Sequence, residues 1–128
     1  MRPKKRSNES GAAAVEFALI LPVLVLMIVG MIEFSRLYNV QISLSNAARE
    51  GARVMAIYNN SGTASSAAVA AAPGLNPALT AGEVSISPGT CTSGQTVTVT
   101  ITHSVPFITD YFGISIPLHG KGVMLCGG

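Results

Sequence analysis

Between Ala12 and Ile32 the chain reads AAAVEFALILPVLVLMIVGMI, with Glu16 as its only charged residue. No water-soluble helix face accommodates such a run, because every direction around it is apolar. At the rise of an α-helix it is about 31 Å long, against a hydrocarbon core of about 30 Å. A full membrane span is therefore expected over 12–32. A secretory signal peptide fits less well: its apolar stretch covers only about 7–15 residues, and no A-x-A-like cleavage site closes this one cleanly. Pro22 removes one backbone donor, which membrane helices tolerate where neighbours re-satisfy the freed carbonyl.

Charge sets the orientation. Arg2, Lys4, Lys5 and Arg6 are half of the 8 basic residues, and none follows until Arg36. Basic residues ahead of a span hold the N-terminus in the cytoplasm, so the chain beyond about Glu33 is expected outside. The charged fraction of 11% is well below the ~25% usual in soluble domains. With the basic residues gathered at one end there is no distributed basic surface, and nucleic acid is not an expected partner.

Beyond the span the pattern turns amphipathic without a break. Leu37, Val40, Leu44, Ala47, Gly51, Val54 and Tyr58 recur at steps of three and four, while Arg36, Asn39, Ser43, Asn46, Glu50 and Arg53 form the opposite stripe. One continuous helix is predicted from about Ala12 to about Ile57, roughly 70 Å long. Its first half faces lipid or other helices, and its second half, 33–58, needs an apolar surface to lie on it. Asn59-Asn60-Ser61-Gly62 ends it.

Residues 59–82 are rich in Ala, Ser, Gly and Pro and carry no charge. Two readings stand: an irregular connection, or a short helix capped by Thr63 and stopped by Pro73-Gly74. From 83 to 128 the period becomes two. Val97, Val99, Ile101 and Val105 alternate with threonines in one strand. Glu83–Ser87 forms a shorter strand closed by Pro88-Gly89. A third lies within Ile114–Cys126, with Gly120 and Gly122 as bulge or bend points. The fold expected is α+β: one long N-terminal helix, and a small antiparallel sheet of about three strands covering its amphipathic half.

Cys91 and Cys126 both fall in the part assigned to the outside. In an oxidising compartment such a pair is usually bridged, and a staple matters to so small a domain. Two unpaired buried thiols are the alternative. His103, on the apolar face of its strand, and His119, beside a glycine pair, have no Cys, Asp or Glu at ligand spacing, and Asp110 is too far along the chain to partner either. Neither a metal site nor a cofactor site is expected. No glycine-rich phosphate loop opens a helix. Arg49, Glu50 and Arg53 read equally well as a partner-binding patch or as a solvated helix face.

Glu16 is the most informative single residue. A carboxylate inside a membrane helix costs ~2.5–3.5 kcal/mol at its centre and less near an interface. On one reading it reaches water at the cytoplasmic edge. On the other it pairs with a cation. Were the chain cut after Gly11, the new amine of Ala12 would lie about 6 Å along the helix from it, and the two groups could neutralise each other between adjacent helices.

A basic leader over 1–11, Gly11, AAAVEF with the acid fifth after the glycine, and then an apolar span resemble the class III signal of type IV pilin-like proteins. With Glu16-Phe17, the segment is similar to the TadE-like pseudopilins of tight-adherence (Flp-type) pilus systems of bacteria. NAAREGARVMA, from Asn46 to Ala56, resembles that family's Ala-Arg-Glu-Gly-Ala-Arg stretch. The strand running into Val105-Pro106-Phe107 is similar to the family's strand and Tyr-Pro-Phe turn, with His103-Ser104-Val105 in place of the aromatic position. The resemblance implies a minor pilin rather than an enzyme, cut by a prepilin peptidase between Gly11 and Ala12. It implies that Glu16 and Phe17 guide subunit packing, and that the partners are other pilins, the inner-membrane assembly platform and the lipid bilayer, with no small-molecule substrate. The location implied is the bacterial inner membrane, with the C-terminal domain periplasmic or extracellular, and incorporation into the pilus. The competing reading is an unprocessed single-pass anchor whose outer domain binds an envelope partner.

Overall fold

A computed structural model describes residues 9–108, 110 and 113–127; the leader residues Arg2, Lys4, Lys5 and Arg6 lie outside them. The elements are α1 (Glu9–Tyr58), α2 (Ser61–Ala70), a 3-10 turn (Ala81–Glu83), β1 (Val84–Ser87), β2 (Thr96–Pro106) and β3 (Ser115–Leu125). This is the α+β layout expected, one long N-terminal helix followed by a small antiparallel sheet. The chain divides into two compact units between Ser35 and Arg36. They are taken in turn.

In the unit ending at Ser35, α1 has no core. Every residue from Glu9 to Ile32 is exposed, and Pro22 sits within the helix without ending it. Soluble monomers rarely expose apolar patches beyond a few hundred Å², and here the whole circumference of the helix is apolar. The helix is long and apolar enough to cross a membrane.

The unit beginning at Arg36 is built around β2. The sheet order is β1-β2-β3, antiparallel throughout. β2 presents Val97, Val99, Ile101, His103 and Val105 to the interior, and its threonines face outward, as period-two burial requires. Leu44, Ala47, Ala48 and Ala52 of α1 pack with Val99, Ile101, Ala68, Ala72 and Leu79 in one cluster. Val54, Met55, Ala64, Val97 and Cys126 form a second. The predicted apolar stripe of the helix is thus buried from Leu44 to Val54, with Ala48, Ala52 and Met55 added to it. Tyr58 departs from the expectation and is 67% exposed. It is the last helical residue, one turn past the buried Val54 and Met55, where Asn59 adopts a left-handed conformation (φ 49°) and reverses the chain.

Two elements differ in detail from the sequence reading. The connection contains a helix, but its cap is Asn60 rather than Thr63: the Asn60 side chain accepts the Thr63 N–H at 2.9 Å. Gly120 and Gly122 are neither bulges nor bends, because β2 and β3 stay in register from Thr96 opposite Leu125 to Pro106 opposite Ser115. They are instead the places where helix backbone meets strand backbone. A Cβ at Gly120 would overlap the Leu44 carbonyl, and one at Gly122 the Ala48 carbonyl. Four helical residues advance about 6 Å and two strand residues about 6.7 Å, so helix and strand run in step across this contact.

Candidate functional site: the N-terminal helix and its family segment

Three groups of residues carry the functional expectations, and α1 holds two of them. Gly11 and Ala12 lie in its first turns, and both are exposed; a Cβ at Gly11 would meet nothing within 4 Å. One turn on, Glu16 is exposed beside Phe17, itself 64% exposed. Among the described residues Glu16 has neither a hydrogen-bond nor an ion-pair partner. A carboxylate so placed is available for a partner outside the chain, and Phe17 offers a large apolar surface next to it.

The segment from Asn46 to Arg53 divides cleanly by size and polarity. Ala47, Ala48, Gly51 and Ala52 are all buried. Ala48 carries the carbonyl that lies over Gly122, and a Cβ at Gly51 would stand 3.1 Å from the Ala68 Cβ on α2. Small residues are needed here because α1 is enclosed between α2 and the sheet, with backbones almost in contact. The charged members face out. Arg53 clasps Glu50 with both nitrogens of its fork, Nε to Oε2 at 3.0 Å and Nη2 to Oε1 at 2.6 Å. That hydrogen bond holds the Glu50 carboxyl below the usual carboxylate range. Arg53 is therefore committed to its neighbour one turn away, and Arg49 is exposed.

The third group is the cysteine pair. Cys91 and Cys126 form a disulfide, with Cα atoms 5.5 Å apart. Hydrogen bonds support it from both sides: the Cys126 N–H donates to the Gln95 carbonyl at 2.7 Å, and the Cys91 N–H to Asn59 Oδ1 at 2.6 Å. The left-handed Asn59 thus ties the end of α1 to the staple.

One polar constellation was invisible to spacing along the chain. His103 is 1% exposed, and its Nδ1 lies 2.8 Å from Glu83 Oε1, so the buried histidine does have an acidic partner, twenty residues away. The signal was the strand register: Val84 pairs with Ile101, which brings the residue before β1 alongside His103. The Thr80 N–H and hydroxyl both donate to Glu83 Oε2, at 2.8 and 2.9 Å. Burial pushes the Glu83 carboxyl up, but the hydrogen bonds from Thr80 and His103 outweigh it and hold the carboxyl below its ordinary range. This cluster fastens the 3-10 turn to β2. Among the described residues no group of three or more His, Cys, Asp or Glu could hold a metal ion.

The described residues thus hold a helix of membrane-spanning length, apolar on all sides but for one carboxylate, and a small disulfide-bonded α+β head. The family described as TadE-like protein matches residues 11–53. Over that stretch, from the glycine before the span to the last arginine of NAAREGAR, the chain is similar to TadE-like proteins. No curated protein and no solved structure gives a significant match.

Proposed function

We propose that this chain is a minor pilin or pseudopilin of a tight-adherence pilus, cut between Gly11 and Ala12 by a prepilin peptidase and acting in pilus assembly and surface adhesion. The observation that carries the reading is the exposure of every side chain from Glu9 to Ile32, Glu16 included, in the segment where the TadE-like match begins. A helix with nothing of its own to lie on must be covered by lipid, by other helices, or by both in turn, as a subunit passing from membrane to filament would require. On this reading the leader stays at the cytoplasmic face of the bacterial inner membrane and the head lies outside. The partners are the peptidase, other pilins, the assembly platform and the bilayer. Arg49, on the exposed side of α1, remains available to a neighbouring subunit, whereas Glu50 and Arg53 satisfy each other.

Gly11 tests processing without touching the fold, because among the described residues an added Cβ there would meet nothing within 4 Å. Its replacement by a bulky residue such as leucine should leave the leader attached, since the peptidase must approach a residue with no side chain. Intact mass of membrane-extracted protein decides: a wild-type chain that keeps its leader beside an active prepilin peptidase refutes the reading. Glu16 tests assembly. Glu16→Ala should insert more readily, as a desolvation cost disappears, yet lose association with other pilins, because the Ala12 amine is left without its carboxylate. Breaking a truly buried pair costs ~3–5 kcal/mol, less at a membrane edge. Glu16→Gln should fail in the same way. Equal crosslinking of all three forms to pilins would remove the assembly role from Glu16.

A further inference from the structure

Beside the first turns of α1 in the outer unit lies a cavity of about 330 Å³, within the roughly 300–1,000 Å³ usual for small-ligand sites. Arg36, Asn39, Val40 and Ser43 line it from the helix, and Pro73 to Asn76 close it from the other side. Among the described residues no acidic side chain lines it. Its one charge among the described residues is the Arg36 guanidinium, which is half-buried, donates from Nη2 to the Pro106 carbonyl, and has its Nε buried without a hydrogen-bond partner among them. The lining offers this partly desolvated cation no carboxylate, so an anion entering the cavity would meet a favourable charge there. The amides of Asn39 and Asn76 add neutral donors along the wall. The Ser43 hydroxyl is already committed, donating to the Asn39 carbonyl at 3.1 Å.

We infer that this cavity binds a phosphate-bearing group, held by Arg36 with help from Asn39 and Asn76. Guanidinium is the side chain best matched to phosphate, as a planar fork that stays charged at any physiological pH. The position favours a phospholipid headgroup, an argument that rests on the membrane reading above. Arg36 follows the end of the apolar run, Ile32, by four residues, about 6 Å along a helix. The headgroup layer on each side of the hydrocarbon is about 5–8 Å deep. A lipid phosphate would therefore be presented at the level of Arg36, and its capture would fix the depth at which the head sits on the membrane.

The test uses full-length protein in mild detergent, with phosphatidylglycerol or the matching diacylglycerol added in equal amounts and bound lipid counted by native mass spectrometry. The wild type should retain phosphatidylglycerol over diacylglycerol. Arg36→Gln should lose that retention by roughly tenfold or more, as removal of a charge-assisted hydrogen bond implies, while Arg36→Lys keeps part of it. Ser43→Phe, which fills the cavity and leaves Arg36 in place, should lose it too. Displacement of the lipid by excess inorganic phosphate would assign the site to phosphate at large, and resistance to it would assign the site to the lipid headgroup. Equal retention by all variants, or of both lipids, overturns the inference. Carbonate extraction of the same membranes separates the two failures: if the wild type stays embedded, only the cavity assignment falls, and if it is released, the membrane reading falls and takes the cavity with it.

Discussion

Gly120→Ala and Gly122→Ala are the smallest changes that should separate α1 from the sheet. The added methyl at either site points into helix backbone, the Leu44 carbonyl in one case and the Ala48 carbonyl and Arg49 nitrogen in the other. A crowded side chain can change rotamer, but a carbonyl inside a helix moves only with the helix. Overpacking a core costs typically 1–3 kcal/mol, and without a rotamer escape each substitution belongs at about 3 kcal/mol or more. For a domain of this size, about 1 kcal/mol lowers the melting temperature by roughly 4–8 °C, so each variant should melt roughly 12–24 °C below wild type. The double variant should cost less than the sum, because displacing α1 at one glycine opens space at the next. Gly89→Ala is the control, with nothing within 4 Å of the added methyl and no positive φ. Thermal melts of full-length protein in detergent, followed by circular dichroism where strand and helix signals differ, measure all four. Single variants melting within about a degree of wild type and of Gly89→Ala would show that the close approach of helix and strand backbones is not what holds the head together.

Three further outcomes follow from the head. Replacing Cys91 and Cys126 by serine should cost ~3–4 kcal/mol on the chain-entropy account of a loop of this length; denaturant melts would show it, and membrane insertion of the variant should be unchanged. Asn60→Ala should weaken α2 by about 0.5–2 kcal/mol through loss of the bond to the Thr63 N–H, seen as faster amide exchange over Ser61–Ala70 than over β2. Glu83 is held below the carboxylate's ordinary range when folded, so its contribution is present above the unfolded value and lost as pH falls through the folded one; head stability should decline on acidification over that interval, and Glu83→Gln should flatten the decline. A Glu83→Gln profile that still parallels wild type would assign the acid sensitivity to other carboxylates.

The apolar helix was legible residue by residue, because nothing competes with an uninterrupted apolar run for the meaning of those positions. The same holds for Val97, Val99, Ile101 and Val105, whose alternation allows only a half-buried strand. The pairing of Cys91 with Cys126 could be expected because the chain has only two cysteines, and the TadE-like resemblance rested on Gly11, Glu16 and NAAREGAR as they stand. These are local properties, written in single residues or their near neighbours. What the sequence could not state was why Ala47, Ala48, Gly51 and Ala52 are small, why Gly120 and Gly122 lack side chains, and that Glu83 serves His103. Each of those depends on two segments far apart in the chain arriving at one place. Glycine in a strand looks the same whether it marks a bulge or yields to a helix, and a histidine on an apolar face looks unpartnered until the neighbouring strand takes its register. Tertiary structure decided these because backbone contact and strand register are relations between segments, and a single segment carries only its half of each.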